Sequence, residues 1–260
     1  MIDSGLVPPP ARLRADVTEP VRVVRAGTLP YRDAWDLQRD LVDARRDGSA
    51  SDHLLLLEHP AVYTMGRRTD PANLRWDADQ RRVRGIDLIE VDRGGDVTYH
   101  GPGQLVGYPI LRLASLRSVV GHVRALEEVL IRTLATFGLT GRRVEHFTGV
   151  WIGQEKVAAI GVRVASGGIT SHGFALNVHP DLDDFTGIVP CGIADRGVCS
   201  MRGLGVPATV DAVSDVVART FGEVFGATLV DESVDALRRL LDHGPQRASA
   251  APRPRREAPV

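Results

Sequence analysis

The chain has 260 residues, 43% of them hydrophobic and 25% charged, with a formal net charge of −1 at pH 7. That length and composition suit one sizeable α/β domain, or two small ones, with enough chain for a full hydrophobic core. The near-zero charge gives no overall case for nucleic-acid or membrane binding.

Two cysteines, Cys191 and Cys199, have seven residues between them and make neither a zinc pattern nor a disulfide framework. No apolar run is long enough to span a bilayer, and no signal-peptide core is found. A reducing cytoplasm is the expected compartment.

In chain order, residues 1–20 carry Pro8, Pro9 and Pro10 and little periodicity, and are expected to form a flexible arm. Residues 21–25 read as a strand. Residues 31–46 follow a helical pattern through Ala34, Trp35, Leu41 and Val42, closed by Gly48. Leu54 to Leu57 form a buried strand running into Glu58 and His59, and a histidine at a strand end is a candidate for a cleft as well as for local hydrogen bonding.

Residues 66–85 hold six arginines against three aspartates, an excess able to dock an acidic partner, although such segments are commonly solvated faces. A strand over residues 86–91 leads into a glycine-punctuated stretch, with short strands at 97–99 and 105–110. The glycines there allow a ligand to approach the backbone. The spacing matches no nucleotide-binding motif, and pattern alone leaves a structural hairpin and a binding loop both open.

The longest helix spans residues 116–137, with Leu116, Val119, Val120, Val123, Leu126, Leu130, Leu134 and Phe137 on one face. Strands are expected at 142–146, 150–152, 156–165 and 169–178, with Gly167 and Gly168 turning between the last two. Helices at 211–225 and 233–242 follow, the second capped by Ser233. Residues 21–243 are thus expected to be a single domain and 244–260 a disordered tail rich in Pro, Ala and Arg.

Two side chains point to chemistry. Lys156 is the only lysine, the other 31 of the 32 basic residues being arginines. A guanidinium stays protonated, whereas an amine can be tuned to release and retake a proton, so Lys156 is a candidate acid–base group and otherwise a surviving surface lysine. Cys191, between Pro190 and Gly192, is expected on a loop. It would need a base or nearby positive charge to act as a nucleophile, and the bland alternative is an inert thiol. Together they suggest a nucleophile and its proton acceptor.

Four segments now align with one family. Residues 93–104 (Arg-Gly-Gly-Asp-Val-Thr-Tyr-His-Gly-Pro-Gly-Gln), 156–161 (Lys-Val-Ala-Ala-Ile-Gly), 172–178 (His-Gly-Phe-Ala-Leu-Asn-Val) and 190–192 (Pro-Cys-Gly) closely resemble the octanoyltransferases of lipoate biosynthesis, over about residues 21–240. The resemblance implies an α/β (α+β) fold, a mixed β-sheet packed against helices, as in biotin and lipoate protein ligases. It implies transfer of an octanoyl group from octanoyl-acyl carrier protein to a lysine of the lipoyl domain of a 2-oxoacid dehydrogenase E2 subunit or of glycine-cleavage H protein. No cofactor or metal is implied, and a monomer is expected.

Carried over by position, Cys191 matches the acyl-accepting nucleophile and Lys156 the residue that tunes it. Arg93, Gly94, Gly95, Asp96, Val97, Thr98, Tyr99 and His100, with Ala159, Ile160, Gly161, Gly173, Phe174 and Ala175, match the segments that hold the acyl group and its carbonyl. Asp96 and Ala159 fall where the family varies. Backbone amides near Gly161 or Gly192 are candidates for an oxyanion hole.

Three rivals stand beside this reading. They are an ATP-dependent lipoate or biotin ligase, a cysteine–histidine acyl hydrolase using His100 or His172, and a module that only binds acylated carrier. His59 and His172 stand as further candidate site residues.

Overall fold

A computed structural model of the chain describes residue 14 and residues 18–115, 118–189 and 196–242. Chain order is β1 (Val21–Thr28), α1 (Tyr31–Asp47), β2 (His53–Glu58), β3 (Val62–Met65), α2 (Ala78–Val83), β4 (Asp87–Glu90), β5 (Thr98–His100) and β6 (Gln104–Ile110). After these come α3 (Val119–Thr136), β7 (Arg142–Val144), β8 (Phe147–Ile152), β9 (Glu155–Ala165), β10 (Ile169–Asn177), α4 (Val210–Phe225), β11 (Leu229–Glu232) and α5 (Val234–Asp242).

Eight strands form one mixed sheet in the order β11-β1-β2-β6-β10-β9-β8-β7, and a smaller sheet runs β4-β3-β5. β1 pairs in parallel with both β11 and β2, whereas the pairings from β2 through to β7 are antiparallel. This is the mixed sheet against helices that the sequence led us to expect.

The apolar run of β2 explains how the larger sheet is covered. Leu54 and Leu56 join a core with Leu126, Val129 and Leu130 of α3 and Val213, Val217 and Phe221 of α4. Leu55 and Leu57 point the other way, to Ala34 and Leu41 of α1 and Leu237 of α5. Strict alternation of side chains in a strand makes a continuous leucine run the mark of a sheet buried on both faces. α1 ends where expected, with Gly48 left-handed at φ 86°, and the Ala236 amide donates to Ser233 Oγ at 3.2 Å as α5 begins.

The structure departs from expectation in several places. β3, α2 and β11 are not among the expected elements. β11 is a four-residue edge strand without an alternating burial pattern, and α2 lies in the charge-rich segment and buries none of its residues. Val120, assigned to the apolar face of the long helix, is 70% exposed because it lies on the first turn of α3, on the solvent side, while His122 takes the buried position. Leu116 lies outside the described residues.

Arg14, within the expected arm, is buried: its Nε donates to Asp52 Oδ2 at 2.8 Å, and it bridges to Leu113. The rest of residues 1–17 and the tail from residue 244 lie outside the described residues.

Candidate active site

β9 and β10 form a hairpin whose register sets Ala159 opposite Ala175 and Gly161 opposite Gly173. These small residues leave a trough, and the loop of residues 93–96 closes over it. Gly94 N donates to the Val162 carbonyl at 3.2 Å. A Cβ at Gly161 would come within 3.0 Å of the Gly94 carbonyl oxygen, so glycine at 161 serves the close approach of loop and strand. Arg93 holds the loop's shape, its buried guanidinium donating to the Thr64 carbonyl (2.6 Å), Thr64 Oγ1 (2.8 Å) and the Asp96 carbonyl (2.7 Å).

The cavity beneath comprises about 470 Å³ of empty space counted out to open solvent. It is lined by residues 93–96, Thr98, His100, residues 159–161 and 172–175, and by Tyr31 and Tyr108.

One part of the cavity's lining is made of buried, hydrogen-bonded polar side chains. His59 Nδ1 lies 2.7 Å from the Leu29 carbonyl, which can only accept, so Nδ1 carries the proton and Nε2 accepts from the Tyr108 hydroxyl at 2.7 Å. His172 Nε2 likewise donates to Asp92 Oδ1 at 2.8 Å, leaving Nδ1 to face the Tyr31 hydroxyl at 3.4 Å. Arg163 pairs with the same Asp92 at 2.7 Å.

Burial lowers the pKa of His59 to about 4 and that of His172 below its ordinary value, the latter against the pull of Asp92. Burial alone would raise Asp92, but its hydrogen bond to His172 and the neighbouring charges hold it below the usual carboxylate value. Burial pushes the Tyr31 hydroxyl up to about 12.

A smaller cavity adjoins the first, sharing Thr98, Ala159 and Ala175 with it and adding Gln104, Lys156, Asn177, Phe185 and Val198. Lys156 is 6% exposed, and its Nζ stands 4.8 Å from the centre of the Trp151 ring. Arg196 lies over the same ring at 5.4 Å and over Phe147 at 5.1 Å. Backbone bonds tie Lys156 to the chain that follows Cys191: Lys156 N donates to the Gly197 carbonyl at 3.0 Å, and Cys199 N to the Lys156 carbonyl at 3.1 Å. On the preceding side, Val189 N donates to the Asn73 carbonyl at 2.8 Å. Cys191 itself, with Pro190 and Gly192, lies outside the described residues.

The structure separates the residues singled out from sequence. Arg93, Gly94, Gly95, Asp96, Thr98, His100, Ala159, Ile160, Gly161, His172, Gly173, Phe174 and Ala175 come together around the larger cavity. Val97 and Tyr99 do not, because β5 alternates. They join a third core cluster with Tyr63 and Phe185, where the Tyr99 hydroxyl donates to Asp184 Oδ2 at 2.7 Å.

His59 stands one residue behind the wall, both ring nitrogens satisfied. His100 Nδ1 donates to Gln104 Oε1 at 2.8 Å, and full burial keeps its pKa well below 6.5. The Gly161 amide is turned into the β9–β10 ladder. Its neighbour Val162 presents its carbonyl to Gly94, and successive backbone groups alternate, so an oxyanion role at Gly161 is not open to it.

Tyr31, Tyr108, Gln104 and Asn177 join the site without having been singled out by sequence. The paired tyrosines sit in a helix and a strand where pattern reads only core, whereas Gln104 closes the first motif and could have been read with it. The second cysteine, Cys199, is buried, and burial raises its pKa to about 12, which suits an inert thiol. Among the described residues no group of three or more His, Cys, Asp or Glu side chains is placed to hold a metal ion, and no helix is long and apolar enough to cross a membrane.

Comparison with known proteins gives the site its family. The lipoyl protein ligase A/B catalytic domain matches residues 30–222. The octanoyltransferase of Rubrobacter xylanophilus is 52% identical over 202 residues, 77% of this chain and 91% of its own length. That of Mycobacterium sp. (strain KMS) is 52% identical over 208 residues, covering 77% and 84%.

Among solved structures, lipoate-protein ligase A bound with ATP superposes with a TM-score of 0.69 at 20% identity, over 86% of this chain and 95% of that one. The putative lipoate protein ligase Ta0514 from T. acidophilum, with bound lipoic acid, gives 0.68 at 18%, over 86% and 93%. At such identities the structural likeness shows the fold alone.

The chain therefore belongs to the lipoyl protein ligase A/B catalytic-domain family, has that family's ligase-like fold, and is an acyltransferase. Within the family its relatives at about half identity are octanoyltransferases, and its activity is octanoyl transfer in lipoate metabolism.

Proposed function

We propose that the chain accepts octanoyl from octanoyl-acyl carrier protein as a thioester on Cys191 and passes it to a lysine of a lipoyl domain, on an E2 subunit or H protein. The observation that carries this reading is the buried amine of Lys156. It stands in a small cavity that shares Thr98, Ala159 and Ala175 with the larger one, its backbone bonded to the segment that follows Cys191.

The chemistry balances without an external energy source. Exchange of one thioester for another is close to neutral, so charging Cys191 releases the carrier thiol and requires no ATP. Attack of the acceptor amine on the acyl-enzyme forms an amide, expels the Cys191 thiolate, and is strongly downhill. A covalent intermediate lets two protein partners use one site in turn, giving ping-pong kinetics.

Lys156 takes the thiol proton or pairs with the thiolate, and later relays the proton lost by the acceptor amine. The fully buried neutral His100 and the Asp92-bound His172 lie along the larger cavity with their ring nitrogens engaged, which favours lysine over a cysteine–histidine pair.

The test is intact mass after incubation with octanoyl carrier protein, in the absence of ATP, followed by addition of a lipoyl domain. An octanoyl adduct that forms on the wild type, is absent from Cys191→Ala and disappears on addition of the acceptor is expected. An adduct persisting in Cys191→Ala would refute the assignment, and a strict requirement for ATP would move the chain to the ligases.

A further inference from the structure

The larger cavity has one end at the Lys156 compartment and another at Tyr31, and the second end is built in an unusual way for a hydrocarbon slot. An alkyl chain entering from Lys156 passes Ala159 and Ala175, then Gly161 and Gly173, and meets Tyr31, Tyr108 and His172. All three are more than nine-tenths buried.

Their polar atoms are engaged in a directional set of hydrogen bonds, Tyr108 to His59 to the Leu29 carbonyl, and Tyr31 to His172 to Asp92. Each ring is thus fixed from behind by a partner that would be left unsatisfied if the ring swung away. Behind Tyr31 and His172 stand Trp35, with its ring 6.3 Å from His172, and the buried Gln38, whose Oε1 accepts from His172 N at 2.7 Å.

His172 supplies a second observation. It lies within β10 yet has φ 56°, a left-handed conformation that non-glycine residues adopt at a cost. Regular alternation would put its ring on the opposite sheet face from Ala175. The left-handed turn of the backbone sets it instead among the residues lining the cavity, against Tyr31 and Asp92. Backbone strain held at one cavity wall, by bonds at both ring nitrogens and the amide, marks a wall whose position matters.

We propose that Tyr31 and His172 form a rigid floor that sets the longest acyl chain the enzyme accepts, a specificity role that rests on the octanoyl-transfer reading above. A chain a few methylenes too long has no soft side chain to displace at this end. It must either displace the packed Tyr31 and His172 rings or leave its reactive carbonyl short of Lys156.

The experiment measures kcat/KM for octanoyl and dodecanoyl carrier thioesters in the full chain and in three variants. The wild type is expected to prefer octanoyl. Tyr31→Ala removes the floor, and His172→Gly removes a ring at a position whose φ suits glycine, so the second variant guards against failure of the first to fold. Either is expected to raise the dodecanoyl-to-octanoyl ratio at least tenfold. Tyr31→Phe keeps the ring and is expected to hold the ratio within threefold of the wild type.

A folded Tyr31→Ala or His172→Gly enzyme with the wild-type ratio would overturn the proposal, as would a wild type indifferent to chain length. Those outcomes leave octanoyl transfer intact, whereas a wild type that transfers neither chain defeats the underlying reading instead.

Discussion

The Lys156 amine stands beside the Trp151 ring, with Arg196 over the same ring, in the small cavity next to the acyl trough. Contact with the electron-rich aromatic face favours the amine whenever it carries a proton. The proposed mechanism asks it to give and take a proton, so Lys156→Arg, which keeps charge but not proton exchange, is expected to lower kcat by at least about 100-fold. Single-turnover transfer to a lipoyl domain checks this, and near-normal turnover would reduce Lys156 to an electrostatic partner.

At the scale of elements, two buried groups govern stability. Asp52, just before β2, accepts from Arg14, from Arg45 of α1 and from the Arg112 amide, each at 2.8 to 3.0 Å, and is fully buried. Removing the carboxylate strands two buried guanidinium groups, so Asp52→Ala is expected to cost about 3–5 kcal/mol in denaturant unfolding. Arg14→Ala is expected to cost less, because Arg45 still balances the carboxylate.

In α3, His122 is fully buried against Phe225, and neither ring nitrogen meets a hydrogen-bond partner among the described residues. Burial lowers its pKa from 6.5 to about 4. The unfolded chain therefore binds the proton first on acidification, so the stability this neutral ring allows is complete above pH 6.5 and falls away towards pH 4. His122→Leu is expected to flatten that part of the stability–pH curve, with His59, His100 and His172, whose pKa values burial also lowers, contributing the slope that remains. An unchanged slope in melts between pH 7 and 4 would show that His122 is not the titrating group.

For the molecule as a whole, the arginine-rich segment takes on a definite place. Arg67 N and Arg68 N donate to the carbonyls of Arg93 and Gly95, so this basic turn is bonded to the loop that roofs the larger cavity. Arg67, Arg68 and Arg75 are exposed and form no ion pair among the described residues. An acidic carrier delivering its acyl group at that loop would meet them first. The double charge reversal Arg67→Glu, Arg68→Glu is expected to raise KM for the carrier roughly tenfold at low salt with kcat little changed, and the difference should shrink as salt rises. An unchanged KM at low salt would place the donor elsewhere.

Composition and period in the amino-acid sequence pointed to an α/β domain, whereas the mixed sheet against helices and most of the cavity's lining were expected from the resemblance of four segments to the octanoyltransferases. The long helices and most strands announce themselves by period and β2 by an unbroken leucine run, while the glycine-rich stretch was legible as turns but not, from pattern alone, as a binding loop. Lys156 stands out by composition alone, a single amine among 31 guanidinium groups.

Other features depended on contacts between residues far apart in the chain. Local pattern cannot say that Tyr99 faces Asp184 while its neighbour His100 faces the cavity, since that follows from the side on which β5 meets its sheet. It cannot see that His172 leaves regular strand geometry, nor that Tyr31 of α1 and Tyr108 of β6 close one end of the site. Short edge strands such as β11 lack a periodic signature because they are covered on too little of their surface to need one. Periodicity records which face of an element is buried, whereas the partners met on that face are fixed only when the whole chain has folded.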